Sequence, residues 1–161
     1  MKFKVVPEPA PSIDRIAEIQ RAVPLVPDGE TSCCVRVMER AGVPSQDRAK
    51  EWLTFLRALG LVEETDGKYR RLPKEVDPET LRSAFLQRVY LAEEVVATLD
   101  AAEEPLAAET VFERLADRLP QWERLRHTDP ESVWRERVNR LLEWACTFGL
   151  AERVDGVYAG A

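Results

Sequence analysis

Three cysteines, one histidine and an uneven spread of basic residues are the features of this sequence with chemistry to offer. Structural zinc takes about four ligands, usually arriving as spaced pairs. Here Cys33 and Cys34 are adjacent, Cys146 is remote and His127 stands alone, so the spacing argues against a metal site. Successive side chains on a helix point in different directions, so Cys33 and Cys34 do not read as a redox pair either. Each thiol reads as a small buried or half-buried side chain. The seven glycines fall at turns, helix ends, hairpin tips and the tail. None builds a phosphate-cradling loop, and no Gly-x-Ser-x-Gly elbow is present. Glu63-Glu64 and Glu103-Glu104 read as solvated surface pairs. The expectation is a protein that is not an enzyme and takes neither metal nor cofactor.

Charge is more informative. The net charge of −6 conceals a split: residues 1–76 carry 13 basic and 12 acidic side chains, residues 77–161 carry 10 and 17. A polyphosphate backbone attracts cations and repels anions, so any nucleic-acid contact belongs to the first half. Arginine outnumbers lysine 18 to 5 beside 29 acids, a mix similar to that of salt-adapted archaeal or GC-rich bacterial proteins. At molar salt the screening length falls to ~3 Å and phosphate binding weakens steeply. Every apolar stretch is broken by charge within a few residues, so no membrane span is expected. The first eleven residues lack the apolar core of a secretory signal. With an odd cysteine count, a reduced cytoplasmic setting is the expectation.

The elements that would position such residues are visible as a repeat. Residues 48–69, RAKEWLTFLRALGLVEETDGKY, match residues 137–158, RVNRLLEWACTFGLAERVDGVY, at 8 of 22 positions with no gap and an offset of 89. In the first copy Ala49, Trp52, Leu53, Leu56 and Leu59 recur at spacings of three and four, the mark of one apolar helix face. Val138, Leu141, Leu142, Ala145 and Phe148 do the same in the second. Gly60 and Gly149 stand where a helix stops in a left-handed residue. Short strands at 61–64 and 150–153 follow, then Asp66-Gly67 and Asp155-Gly156, a strong two-residue hairpin signal. The return strands carry Tyr69 and Tyr158.

Upstream, Ser12 caps a helix to about residue 23 with Ile13, Ile16, Ala17, Ile19 and Val23 inward. Thr31 or Ser32 caps a second to about Ala41, with Cys34, Val37, Met38 and Ala41 inward. Gly42-Val43-Pro44 is a tight turn, and Ser45 caps the third helix. The spacing predicts that the second copy opens with one long helix over 77–102, capped by Asp77 with Pro78 at its first position. It would be apolar on two sides, with Leu86, Tyr90, Leu91 and Val95 forming a second stripe. A short helix near 108–118 follows. The match Glu30-Thr31 to Glu109-Thr110 lies at offset 79, so the second copy carries ten extra residues within about 119–129, a polar insertion holding Trp122 and His127.

Helix, glycine stop, strand, Asp-Gly tip and strand with an aromatic closely resemble the third helix and wing of winged-helix domains. The resemblance implies a mainly α fold with small β wings: tandem winged-helix domains over 1–76 and 77–161. It also implies double-stranded DNA as a partner, since the third helix of such domains often enters the major groove and the wing often touches phosphates. In the first copy the helix then offers Ser45, Gln46, Arg48, Lys50, Thr54 and Arg57, and the wing and its exit offer Lys68, Arg70, Arg71 and Lys74. Gln46, Arg48 and Lys50 would reach base edges, and Lys68, Arg70 and Arg71 would hold phosphates. Seven basic residues against five acids over 45–74 make this face only mildly positive. The second copy lacks the tight turn and the Arg pair.

Two roles follow. The leading one is a transcription-regulator-like protein whose first domain contacts DNA and whose second serves dimer or partner contacts. The alternative is a protein-interaction scaffold, similar in layout to the acidic tandem winged-helix proteins of segregation complexes. Either role accommodates a homodimer through Leu86, Tyr90, Leu91 and Val95.

Overall fold

The structure is a computed structural model that describes residues 2–116 and 130–161. The expected insertion, with Trp122 and His127, lies outside the described residues. Two compact units are present, Met1–Tyr90 and Leu91–Ala161.

The first unit runs α1 (Ile13–Ala22), β1 (Asp28–Gly29), α2 (Glu30–Ala41), α3 (Gln46–Ala58), β2 (Val62–Thr65), β3 (Lys68–Arg71) and α4 (Pro78–Arg88). Ser12 caps α1 by accepting from the Asp14 N–H at 3.1 Å, and Ser45 caps α3 by accepting from the Arg48 N–H at 3.2 Å. The α2 cap differs from expectation: Gly29 holds that position, one residue before Glu30 and ahead of Thr31 and Ser32. Gly29 is already committed to the sheet through β1, so the helix begins where pairing ends. Gly42 ends α2 in the left-handed region at φ 70°, and the Arg36 Nε donates to the Ala22 carbonyl at the end of α1. Helices α1, α2 and α3 pack together over a core that includes Ile16, Ile19, Val37, Leu53, Phe55 and Leu56. The sheet order is β1-β3-β2, all antiparallel.

The second unit runs α5 (Ala92–Ala101), α6 (Ala108–Ala116), α7 (Pro130–Thr147), β4 (Ala151–Val154) and β5 (Val157–Gly160). Its core includes Val95, Val111, Leu115, Trp134, Leu142 and Trp144. The β4-β5 hairpin gains a third strand position from Leu106, which exchanges two backbone hydrogen bonds with Tyr158 at 2.7 and 2.8 Å.

The repeat is kept in atomic detail. Both wings pair over four residues a side at the offset of 89, one residue later than the pattern predicts. Gly60 and Gly149 take φ 77° and 76°, with the following N–H of Leu61 and Leu150 returning to the carbonyls of Leu56 and Ala145. That six-to-one bond is the Schellman stop. Both hairpin tips have positive φ at Asp and Gly alike, the two-residue turn whose twist suits a hairpin.

One expectation fails. The helix over 77–102 is two helices, α4 and α5, separated at Val89–Leu91. Val89 is extended, and Leu91 sits in the left-handed region at φ 68°. The break has no Gly or Pro to announce it. Its cause is the N-terminal segment: the Phe3 N–H donates to the Arg88 carbonyl at 2.7 Å, and the Tyr90 N–H donates to the Phe3 carbonyl at 2.7 Å. A distant strand captures backbone groups that a helix would otherwise use. Accordingly α4 belongs to the first unit, and the units divide after Tyr90 rather than after residue 76. The helix that opens the second copy is α5, which corresponds to α1 residue for residue at offset 79. The second apolar stripe also dissolves. Leu91 and Val95 are buried, Leu86 and Tyr90 are half-buried, and the four do not share a helix. The single stripe expected as a dimer surface is therefore split between α4, the break and α5.

Candidate nucleic-acid interface

Helix α3 buries Ala49, Trp52, Leu53, Phe55, Leu56 and Ala58, so the rest of its circumference faces out. Gln46, Lys50, Thr54 and Arg57 stand at i, i+4, i+8 and i+11, which places them along one side. Gln46 and Lys50 are exposed, and Thr54 and Arg57 are half-buried. Ser45 contributes its hydroxyl oxygen to the cap rather than to the face. Arg48 leaves the group: at 100° per residue it lies roughly 200° from Gln46, and its Nη1 pairs with Glu8 of the N-terminal segment. Arg48 therefore does not share the side of the helix that carries Gln46 and Lys50, the two residues expected beside it at base edges.

The wing divides its basic residues in the same way. Side chains alternate between the two faces of a strand, and Tyr69 is buried. Lys68 and Arg70 therefore share the outer face, and Arg71 shares the inner face with Tyr69. Lys68 is exposed beside the tip, opposite Thr65. Arg71 thus lies on the opposite face of the strand from Arg70. Its backbone N–H donates to the Pro24 carbonyl at 2.7 Å, and its Nε is shut off from solvent without an acceptor.

Most of the surviving cations are held by carboxylates. Lys50 Nζ lies 3.5 Å from Glu30 Oε1, Arg57 Nη2 lies 3.7 Å from Glu64 Oε2, and Arg70 Nη2 lies 3.1 Å from Glu63 Oε2. Glu30 ties helix to wing, because its other oxygen accepts from the Tyr69 hydroxyl at 3.2 Å. Burial, reinforced by the Glu30 charge, pushes the Tyr69 phenol up to about 12. The carboxylates were missed as site residues. Glu63 sits opposite Arg70 in the hairpin register, so counting outward from Asp66-Gly67 finds it; Glu8 and Glu30 have no comparable signal.

The second copy offers a different surface at the same backbone. Arg135 on α7 reaches α6, its Nε lying 2.9 Å from Glu109 Oε2 and its guanidinium 5.0 Å over the Phe112 ring. Arg140 pairs with Glu136 at 3.0 Å, and Arg137 lies 4.7 Å over the Trp134 ring. Glu143 occupies the position of Thr54 and accepts both from the Tyr158 hydroxyl at 2.8 Å and from Arg153. Val157 replaces Lys68, and Ala159 and Gly160 replace the arginine pair.

Cys33 and Cys34 are buried and Cys146 is half-buried. Burial pushes the Cys33 thiol up to about 11 and raises the other two, the opposite of what a nucleophile or redox centre requires. Among the described residues no three His, Cys, Asp or Glu side chains cluster as a metal site would, and no helix is long and apolar enough to cross a membrane.

Comparison with known proteins agrees with this architecture. No curated protein and no solved structure matches the chain. One family model does, over residues 1–161: the halobacterial double winged helix domain. With the glycine-stopped helix and two-stranded wing built twice, this chain belongs to that family.

Proposed function

We propose that the first unit binds double-stranded DNA, with Gln46, Lys50, Thr54 and Arg57 of α3 toward the major groove and Lys68 and Arg70 of the wing on flanking phosphates. The role is that of a cytoplasmic, non-catalytic transcription regulator. The observation that carries the reading is that helix stripe, together with a polar wing tip, on a fold whose members often use those two parts on DNA.

The paired carboxylates shape how such binding would behave. An exposed ion pair is worth about 0–1 kcal/mol, so exchanging Glu for phosphate costs little. Each exchange, however, strands a carboxylate that takes up a cation from solution. That uptake offsets the counterions released from DNA and flattens the salt dependence. A shallow slope suits a chain whose composition and family both point to high salt.

Fluorescence anisotropy with mixed-sequence duplexes over a salt series tests the reading. Binding that is lost when Lys50, Lys68 and Arg70 are changed to Glu supports it. Absence of binding at every salt, or indifference to the triple change, refutes it.

A protein-interaction scaffold is favoured instead by the second unit, where an exposed Val154 faces Val157 across the wing tip of an acidic half. The two roles coexist if the first unit holds DNA and the second a protein. Affinity capture before and after Val154→Lys tests the second unit's share.

A further inference from the structure

The corrected position of Arg71 opens a question that DNA binding does not answer. On the inner face of β3 it lines a groove of about 530 Å³ between α1 and the chain that leaves the wing. Ile13 and Ala17 of α1, with Leu25, Leu72 and Val76, supply its apolar lining. Leu25 is 55% exposed and adds an apolar surface at its rim. Gln20 is buried beneath, its Nε2 within 3.0 Å of the Lys74 carbonyl and 3.4 Å of the Leu72 carbonyl, so the far wall is fixed to the helix.

Three cations line this groove: Arg21, Arg71 and Lys74. No ion pair among the described residues engages these three. Asp14 and Glu75 also line the groove, leaving one positive charge in excess.

The second copy is an internal control. There α5 stands where α1 stands, Leu99 replaces Gln20, Asp100 replaces Arg21, and Gly160 replaces Arg71. There a β-carbon on Gly160 would run into the Asp100 carboxylate and lie 3.4 Å from its Cα, so a side chain in the place of Arg71 would meet Asp100.

We propose that the groove in the first unit binds a small monoanion with an apolar body, a carboxylate on a short hydrocarbon, anchored by Arg71. A planar guanidinium matches a carboxylate in shape and charge, one negative charge balances the lining, and the apolar walls take the hydrocarbon. The site does not depend on the DNA reading.

The test uses the full chain at neutral pH with hexanoate, hexanol and hexylammonium, followed by amide chemical shifts. Hexanoate is expected to perturb Leu25, Arg71 and Lys74, and to bind about tenfold more tightly than hexanol, the worth of one charge-assisted hydrogen bond. Arg71→Met removes that advantage, and Arg40→Met leaves it intact. Should Arg71→Met lower the melting temperature, Lys74→Met carries the same comparison. Equal binding of hexanoate and hexanol, perturbation elsewhere, or no perturbation at millimolar hexanoate overturns the proposal.

Discussion

At the tip of the first wing Thr65 faces Lys68, and at the tip of the second Val154 faces Val157, on backbones that pair in the same register. The helix-to-wing ion pair is also kept, but its polarity is reversed. In the first copy Arg57 on the helix meets Glu64 on the strand; in the second Glu143 on the helix meets Arg153 at the position of Glu64. The copies share a glycine stop, an Asp-Gly tip, an inward tyrosine and an apolar helix stripe, and they differ at most polar positions of the third helix and wing. The repeat therefore specifies a scaffold, and any function peculiar to one copy has to be sought where the two differ.

The comparison can be broken in graded steps. Leu53 and Leu142 are matched and fully buried, so Leu53→Ala and Leu142→Ala should each cost about 2–5 kcal/mol. Chemical denaturation checks this, and a cost confined to one copy would deny that the two cores are equivalent. The inner strand position is next. Gly160→Arg should destabilise by about 1–3 kcal/mol through overpacking against Asp100. Arg71→Ala, at the matching place, should stay within about 0.5 kcal/mol.

A smaller effect concerns Tyr69, whose folded phenol is raised to about 12 from 10. Above pH 10 the unfolded chain gives up this proton while the folded one keeps it, so stability falls as pH rises from 10 towards 12. The contribution is intact below 10, and Tyr69→Phe should remove that part of the alkaline loss. Ultraviolet titration of wild type against Tyr69→Phe reads it directly. The subtlest effect is electrostatic. Glu63→Gln with Glu64→Gln should tighten DNA binding at low salt and steepen the logarithmic salt slope by up to about 0.9 for each pair released. An unchanged slope in an anisotropy salt series would show that carboxylate exchange plays no part.

The parts of the fold that were legible were those written in local chemistry. Gly60, Gly149 and the two Asp-Gly tips announce their turns because positive φ is costly for other residues. Ser12, Ser45 and Asp77 announce helix starts because their side chains satisfy orphan amides. The break at Val89–Leu91 was illegible, since it is made by Phe3 from far away in sequence. With it went the domain boundary and the stripe of Leu86, Tyr90, Leu91 and Val95. The candidate site shows the same limit. Basic residues can be counted along the chain, but Arg48 turns away to Glu8 and Arg71 to the inner face of its strand. Their directions follow from helical angle and strand alternation, which a charge count ignores.

On the proposed function, the first copy engages duplex DNA through one side of α3 and the outer face of its wing, while the second copy does not. Amide shift mapping on the full chain with a duplex, from about 0.1 M to about 2 M salt, addresses it most directly. The account predicts perturbation clustered at Gln46, Lys50, Thr54, Arg57, Lys68 and Arg70, with α7 and the Val154–Val157 tip silent. Perturbation centred on the second wing, or none at any salt, would contradict it.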